Sequence, residues 1–219
     1  MDQNNSGYYS GERKEMISFI PSGCKKILEV GCAEGNFLHQ LKDEETELWG
    51  IEPNIESALI AGTKLYKVLN NSLEEALEKL PDNYFDAIIL NDVLEHMLHP
   101  AENLKHLKSK LNITGQIIAS IPNFRYVKSL FQVVVKRKWK YTDYGILDYT
   151  HFRFFTRKSI ISMFEDSGYD IKTIRGINRT KSIKFHLLTI LFCVFTLSNQ
   201  LDMLFMQFAV VAKLKHPVK

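Results

Sequence analysis

The sequence predicts a doubly wound α/β fold, in which helices cover both faces of a mostly parallel sheet. Three observations support this fold class. Short apolar runs alternate with helix-like segments through residues 26–123, as they do in sheets built from strand–helix–strand units. A glycine-rich turn from Gly31 to Gly35 directly follows the first apolar run, and an acid, Glu52, ends the second. Such features are typical of the edge at which these sheets bind ligands.

The first half of the chain contains five predicted strands. They cover residues 26–30, 48–52, 65–69, 85–90 and 115–121. The predicted helices between them cover residues 35–42, 55–62, 73–80 and 104–111. Short apolar runs with turn residues at their ends favour buried strands, whereas longer stretches with apolar residues every three or four positions favour helices. Pro81 and Pro122 end a helix and a strand, respectively.

The second half is less regular but supplies the remaining predicted elements. An amphipathic stretch over residues 126–140 precedes a turn-rich segment over 143–156. The predicted helix over 157–167 ends at Gly168, and the last two strands cover 169–174 and 207–214. A very apolar stretch covers residues 183–197.

Neither repeats nor a low-complexity linker divides the chain, so we predict a single domain over residues 1–219. Within it, residues 1–22 form an N-terminal helix or lid and residues 23–123 the cofactor-binding core. The substrate-cap insertions are 124–156 and 177–205, and segments 157–176 and 206–215 complete the sheet.

The composition indicates a globular protein with reduced thiols. Hydrophobic residues make up 45% and charged residues 24% of the chain, which is ordinary for a folded domain. The three cysteines, Cys24, Cys32 and Cys193, are odd in number and lack a CxxC pair, unlike a disulfide framework or zinc site. No secretory signal begins the sequence. We therefore expect a cytoplasmic protein.

Charge is distributed unequally along the chain. Residues 1–120 hold 11 basic and 19 acidic side chains, a net charge of −8, whereas residues 121–219 hold 17 and 6, a net charge of +11. The basic half indicates an anionic partner, which could be a phosphate-bearing substrate, nucleic acid or an anionic membrane surface. Alternatively, the two halves neutralise each other across the fold.

The glycine-rich turn favours a nucleoside ligand but excludes two familiar motifs. A dinucleotide fingerprint needs glycine at offsets 0, 2 and 5, and here glycine stands at offsets 0 and 4, as Gly31 and Gly35. The lysine of a phosphate-binding P-loop is also missing. Glu52 lies 21 residues after Gly31, and its carboxylate could accept hydrogen bonds from both hydroxyls of a ribose.

Five segments together resemble the class I S-adenosylmethionine-dependent methyltransferases. They are ILEVGCAEG (27–35), LWGIEP (48–53), FDAIILNDVLEH (85–96), LNITGQIIASIPN (111–123) and GILDYTHFRFFT (145–156). More narrowly, they resemble the bacterial branch related to ubiquinone-type and cell-surface glycan-modifying enzymes. The resemblance covers roughly residues 8–175. It implies a seven-stranded sheet in the order 3-2-1-4-5-7-6 with an antiparallel last strand.

The resemblance also implies which residues bind S-adenosylmethionine. Glu29 and Gly31 would hold the methionine end and Glu52 the ribose. Asn71 would meet the adenine amino group with Ser72 donating nearby, and Asn91 and Val93 would line the pocket beneath the sulfonium. The rest of the predicted cofactor site consists of Cys32, Ala33, Gly35, Asn36, Phe37 and Pro53. Ala33 replaces a common glycine and Asn71 a more usual acid, yet an amide oxygen still accepts from an amino group.

Two histidines are candidates for the base that a hydroxyl acceptor needs. His96 follows the fourth strand, and the resemblance places His151 over the pocket. Histidine suits proton transfer because its ordinary pKa lies near neutrality. His96 could instead fix the loop at a helix start, and His151 could be a packing contact that closes the site. Arg153 could orient an acidic substrate.

No metal site is predicted. His96, His99 and His106 recur along one segment, but neither a cysteine nor a paired acid completes a ligand set. The segment 8–13 ahead of the helix predicted over 14–20 resembles a lid over the cofactor, although an ordinary surface helix is the alternative.

The apolar stretches of the second half allow two interpretations. Residues 126–140 and 183–197 could pack inward as a substrate cap, or they could form a membrane-facing surface that admits a lipid-linked substrate at the inner face of the membrane. Fifteen apolar residues are too few for a comfortable transmembrane helix, which needs about 20. Nucleic acid is disfavoured as a partner because no RNA-binding module is recognisable.

The predicted function is methyl transfer from S-adenosylmethionine to a small or lipid-linked acceptor, by O-methylation of a sugar-type substrate. N-methylation of an amino sugar or small amine is the alternative enzyme activity. A non-catalytic, S-adenosylmethionine-binding regulatory protein is the alternative from another class. The oligomeric state stays open.

Overall fold

The fold is built on one seven-stranded sheet. The computed structural model describes residues 13–197 and 201–215. The strands are β1 Lys26–Val30, β2 Glu47–Ile51, β3 Lys67–Leu69, β4 Phe85–Asn91, β5 Leu111–Pro122, β6 Tyr169–Arg179 and β7 Phe205–Leu214. Their order is β3-β2-β1-β4-β5-β7-β6. The first five strands are parallel, and β7 is antiparallel to both neighbours. The predicted fold class and strand order are confirmed.

The central strands are apolar because both of their faces are buried. Leu28 and Ile88 belong to one hydrophobic core, whereas Ile27 and Ile89 belong to a second. Successive side chains of a strand point to opposite faces, so the two cores lie on the two sides of the sheet. Each side needs a helical cover, as in other parallel sheets.

The helices of the described residues begin at polar caps in several cases. They are α1 Lys14–Ile17, α2 Asn36–His39, α3 Ile55–Gly62, α4 Leu73–Ala76, α5 Pro100–Leu107, α6 Val127–Leu130, α7 Arg157–Asp166 and α8 Ile183–Thr196. The Asn54 side chain accepts from the backbone N–H of Ser57 at the start of α3. Ser72 and Thr156 form capping boxes at the starts of α4 and α7. These caps satisfy N–H groups that the first turn leaves without partners.

Some predicted boundaries are wrong. The helix predicted over 104–111 begins at Pro100, whose fixed φ suits the first helical position, and ends at Leu107. Leu111 already begins β5 and pairs with Phe85. β6 continues to Arg179, five residues beyond its predicted end, because β7 supplies an antiparallel partner along that length.

The second half contains the less regular elements. The stretch predicted to be amphipathic forms α6 and then a π-helical turn, Phe131–Val135. The apolar stretch over 183–197 forms α8. Across the described part of the chain, every helix is too short or too polar to cross a bilayer. Tyr8 and Tyr9 of the predicted lid lie outside the described residues, and the division into core, cap and completing segments stays a prediction.

Candidate active site

The ends of β1, β2 and β4 bring three predicted residues to one edge of the sheet. Glu29 is the penultimate residue of β1, Glu52 follows β2, and Asn91 ends β4. Gly31 then turns the chain with a φ of +70°, which favours glycine. A Cβ at Gly31 would lie 3.0 Å from Val93 Cγ2. The turn therefore leaves space that a side chain would fill.

Glu29 is a buried carboxyl group with one oxygen available for a ligand. Its Oε1 accepts a hydrogen bond from Asn91 Nδ2 at 3.1 Å. Its Oε2 is buried and has no hydrogen-bond partner among the described residues. Burial raises the pKa of Glu29 to about 8, against the lowering effects of Asn91 and Arg13. An unpartnered buried oxygen carries a free-energy cost that a hydrogen-bonding cation would remove.

Glu52 holds two turns together at the end of β2. Its Oε2 accepts from the backbone N–H of Ala33 at 2.9 Å, and its Oε1 accepts from that of Asn54 at 2.8 Å. Ala33 has a φ of +47°, a conformation that costs energy for any residue with a Cβ. Asn70, which sequence reasoning missed, donates to the carbonyls of Glu52 and Pro53 at 2.8 and 3.0 Å. The carboxylate is therefore fixed before any ligand arrives.

Other residues of the predicted cofactor site support the glycine-rich turn. Gly35, the N-cap of α2, has a φ of +74°, and its N–H donates to the Cys32 carbonyl at 2.8 Å. Cys32 and Phe37 are buried. The Asn36 amide oxygen accepts from Lys64 Nζ at 2.6 Å. These contacts shape the turn from within the protein.

The structure uses Asn71 and Ser72 to hold the start of α4. Asn71 accepts from Lys79 Nζ at 2.7 Å and donates to Glu75 Oε2 at 3.2 Å. The Ser72 hydroxyl accepts from the Glu75 N–H at 3.3 Å. Their roles toward adenine stay predictions.

Asp92 joins several elements at the same edge, and sequence reasoning did not single it out. Its Oδ1 accepts from Ser120 Oγ at 3.0 Å and from Gln207 Nε2 at 2.6 Å. Its Oδ2 pairs with the guanidinium of Arg13. Since Asp92 immediately follows β4, the strand-end rule that selected Glu52 could also have selected Asp92.

Arg13 brings the segment before α1 to this edge. Its Nη2 is buried and lacks a hydrogen-bond partner within the described ranges. Its positive charge lowers the pKa of Glu29 and of Glu95, although burial outweighs it and raises that of Glu95 to about 8. The described end of the predicted lid therefore contacts the site.

His96 and His151 form an adjacent pair beyond Asp92. Their ring centroids are 4.7 Å apart, with the planes at 75°. His96 Nδ1 lies 3.2 Å from the Thr150 carbonyl oxygen, and His151 Nδ1 lies 3.2 Å from that of Ile146. A carbonyl oxygen only accepts, so we assign the proton of each neutral ring to Nδ1, which leaves Nε2 as the basic nitrogen. Burial lowers the pKa of both histidines.

A pocket opens between these histidines and the end of the sheet. Its polar lining consists of Asp92, Glu95, His96, Asp148, His151 and Gln207, and Ile146 and Met206 are among its apolar lining residues. Arg153 lies elsewhere: its guanidinium donates to the Leu98 carbonyl at 2.6 and 3.2 Å. The pocket thus places two basic nitrogens beside several carboxyl groups.

Glu95, His96 and His151 could also hold a cation. One ligand atom from each lies within 4.8 Å of the other two. The three histidines considered from the sequence are distributed differently, because His99 precedes α5 and His106 lies exposed on it. The sequence analysis considered only the spacing of His96, His99 and His106, and that spacing did not point to Glu95 or to His151.

Comparison with known proteins establishes the family. A family model described as a methyltransferase domain matches residues 6–174. The chain belongs to this methyltransferase family. It is an S-adenosylmethionine-dependent methyltransferase, as the sequence predicted.

Relatives and solved structures agree with this assignment. The methyltransferase is 26% identical to a ubiquinone biosynthesis O-methyltransferase of Photobacterium profundum, over 70% of the chain and 67% of the relative. It is 27% identical to the bifunctional methionine biosynthesis protein MetXA/MetW of Rhodopirellula baltica, over 52% of the chain but only 19% of that protein's length. It is 32% identical to a tRNA U34 carboxymethyltransferase of Campylobacter hominis, over 42% of the chain and 34% of the relative. A methyltransferase structure from Archaeoglobus fulgidus has a TM-score of 0.66 at 21% identity, covers 95% and 97% of the two chains, and shows the same fold.

Proposed function

We propose that this methyltransferase methylates a hydroxyl oxygen of a small or lipid-linked acceptor, with a sugar-type ring as the acceptor class. The observation that carries this proposal is the pair of neutral histidines, His96 and His151, in the pocket beside the cofactor edge. A hydroxyl needs a base to accept its proton, and imidazole is suited to that role near neutral pH.

The residues at the sheet edge fit S-adenosylmethionine. The unpartnered Oε2 of Glu29 suits the ammonium group of the methionine end. The Glu52 carboxylate, which backbone N–H groups already hold in place, suits the two ribose hydroxyls. Gly31 provides the space that a Cβ would fill. When bound, the cofactor supplies an electrophilic methyl group on a sulfonium.

The protein's own contribution is alignment and proton removal. The acceptor oxygen would receive the methyl group that the bound cofactor supplies, so its hydroxyl proton would have to leave. His151 Nε2 or His96 Nε2 takes the hydroxyl proton and later releases it to water. Thr150 positions His96, because its own hydroxyl donates to Asp148 Oδ1 at 2.6 Å while its carbonyl accepts from Nδ1. Such positioning accounts for much of the acceleration in an in-line transfer.

The polar lining supports an acceptor that carries several hydroxyl groups. Asp92, Asp148 and Gln207 place hydrogen-bonding side chains around the histidines, and a sugar-type ring presents hydroxyls on several carbons. The relatives named ubiquinone biosynthesis O-methyltransferases support oxygen as the methylated atom. The tRNA-modifying relatives align over less than half of the chain and support the shared cofactor domain more than a shared acceptor.

N-methylation of an amino sugar or a small amine is the second candidate. Asp92 and Asp148 line the pocket and would attract a protonated amine. The histidines would then deprotonate an ammonium group instead of a hydroxyl.

An acceptor screen with methyl-labelled cofactor tests the proposal. Sugar nucleotides, lipid-linked sugars, phenols and amines are offered in parallel, and we expect label on the oxygen of a hydroxylated acceptor. Label on amines alone would favour the second candidate. The same assay is run with EDTA. Turnover should persist, whereas its loss and its recovery with a divalent cation would mean that the imidazoles act as ligands and would contradict the proposed base.

A further inference from the structure

Helix α8 exposes a large apolar surface. The helix spans Ile183–Thr196, contains no acidic residue and buries only Thr189 fully. Six of its large apolar side chains are more than half exposed: Ile183, Leu187, Ile190, Leu191, Val194 and Phe195. A contiguous apolar patch of this kind marks an interaction surface. These six side chains of α8 therefore do not pack inward, as one of the two interpretations of the sequence expected.

The first turn of α8 is anchored beside the pocket. The Phe185 ring contacts the Phe131 ring edge-on, with 5.6 Å between their centroids. Phe185 also packs against a small hydrophobic cluster that includes Ile146 and, at its margin, Met206. Since Ile146 and Met206 line the pocket, the exposed helix is connected to the pocket wall through one cluster.

Basic side chains surround this anchored turn. Residues 126–140 and 179–184 together hold eight lysines and arginines and no acid, and all eight are exposed. The ammonium groups of Lys136 and Lys184 lie over the Phe131 ring, 5.9 and 5.2 Å from its centroid. The apolar surface therefore has a positively charged margin.

We propose that α8 and the basic residues around its first turn dock the protein on an anionic lipid bilayer, with the helix in the plane of the interface. Fourteen residues extend about 21 Å, less than the hydrocarbon thickness of about 30 Å. A bilayer offers an apolar phase and negative headgroups together. A second copy of the same face would oppose positive charge with positive charge, and nucleic acid offers no apolar phase. Only one part of this proposal rests on the proposed function: a lipid-linked acceptor would approach the pocket from this surface.

Vesicle co-sedimentation tests the docking surface. We expect the full chain to bind vesicles of phosphatidylcholine and phosphatidylglycerol, and to bind phosphatidylcholine alone much less. High salt should weaken binding because exposed charges are screened. Replacing three basic residues, as in Lys136→Gln/Lys138→Gln/Lys184→Gln, should weaken binding to the anionic vesicles about 100-fold. Equal and negligible binding to both vesicle types would overturn the proposal.

Apolar variants separate bilayer insertion from simple charge attraction. Leu187, Leu191 and Phe195 are 62%, 67% and 86% exposed, so replacing all three by Gln should abolish vesicle binding without unfolding the protein. The matched control is Leu59→Gln/Ile113→Gln, at positions 69% and 78% exposed away from α8, and it should bind vesicles as the wild type does.

Two outcomes would identify a different partner. If the α8 variant still binds anionic vesicles and tRNA displaces it, the surface recognises polyanions and the proposal is wrong. If light scattering shows a dimer that the α8 variant dissociates, and the dimer does not bind vesicles, the face pairs two copies instead. Calorimetry with S-adenosylhomocysteine separates this proposal from the proposed function: the α8 variant should keep cofactor affinity, whereas Glu52→Gln should lose it and still bind vesicles.

Discussion

At the residue scale, Glu29 couples cofactor binding to protonation. Its raised pKa of about 8 means that the carboxyl is mostly protonated at neutral pH in the ligand-free protein. Because the folded pKa lies above the unfolded one, the stability that the neutral form contributes is fully present below about pH 4.5 and is lost as pH rises through about 8. A ligand ammonium beside the carboxyl would favour its charged form.

We therefore expect S-adenosylhomocysteine binding at neutral pH to release a proton from Glu29. The affinity should increase as the pH rises from about 6 to about 8. Calorimetry in buffers with different ionisation enthalpies measures that proton. Glu29→Gln should remove most of the buffer dependence, which separates Glu29 from Glu95, whose pKa is also raised. An observed enthalpy that is the same in all buffers for the wild type would contradict this coupling.

Ala33 offers a second test at the residue scale. Its φ of +47° costs a residue with a Cβ roughly 1–2 kcal/mol, whereas glycine adds unfolded-state entropy worth about 0.4–1 kcal/mol. Ala33→Gly should therefore raise the free energy of unfolding in urea by up to about 1 kcal/mol. The control is Ala58→Gly within α3, which should lower it by about 1 kcal/mol. A similar loss in both variants would mean that Ala33 is not strained.

At the element scale, the sequence predicts where strands exist better than where they end. β1 and β4 are mostly apolar and buried, and they were located nearly to the residue. β6 mixes polar and apolar residues and extends to Arg179 because β7 pairs with it, a tertiary effect that the local sequence pattern does not contain. The sequence located helix α8, but the periodicity of its apolar residues does not indicate whether they pack against the protein or face outward.

The antiparallel pair β6–β7 has a close contact that can be tested. A Cβ at Gly176 would lie 2.3 Å from Phe205 Cγ, so Gly176→Ala must displace a ring and should lower the free energy of unfolding by about 1–3 kcal/mol. Gly62, the last residue of α3, has nothing within 4 Å of its Cβ position. Gly62→Ala should instead raise it by up to about 1 kcal/mol. Equal effects of the two variants in urea unfolding would contradict the packing described here.

At the scale of the whole molecule, the candidate site divides into a part that the sequence predicted and a part that it did not. Glu52 was predictable from its place at the end of a strand, because parallel strands end at a common edge, and the family resemblance implied Glu29 and Asn91. Arg13 reaches Asp92 from a segment 79 positions away, and Thr150 reaches His96 across 54 positions. Contacts of that range depend on the tertiary fold, for which local sequence carries little signal.

Ligand binding should stabilise the whole fold. S-adenosylhomocysteine at about 100 times its Kd contributes about 2.7 kcal/mol, which raises the Tm of a domain of this size by about 5–10 °C. NAD should leave the Tm unchanged, since the glycine spacing does not match a dinucleotide site. Glu52→Gln should show a smaller shift at the same ligand concentration. An equal shift with NAD would contradict the assignment of this edge to S-adenosylmethionine.

The central claim, proton removal by the histidine pair, is tested most directly by comparing turnover with cofactor affinity in His151→Gln and His96→Gln. Turnover of labelled methyl transfer should fall by about 10²–10⁴ in the variant that removes the base, while S-adenosylhomocysteine affinity and the free energy of unfolding stay near wild type. Because burial lowers the pKa of both histidines, wild-type turnover should decline only below about pH 6.5, and that acidic decline should disappear in the base variant. Loss of affinity and stability together with turnover, or an unchanged pH profile in both variants, would contradict the account.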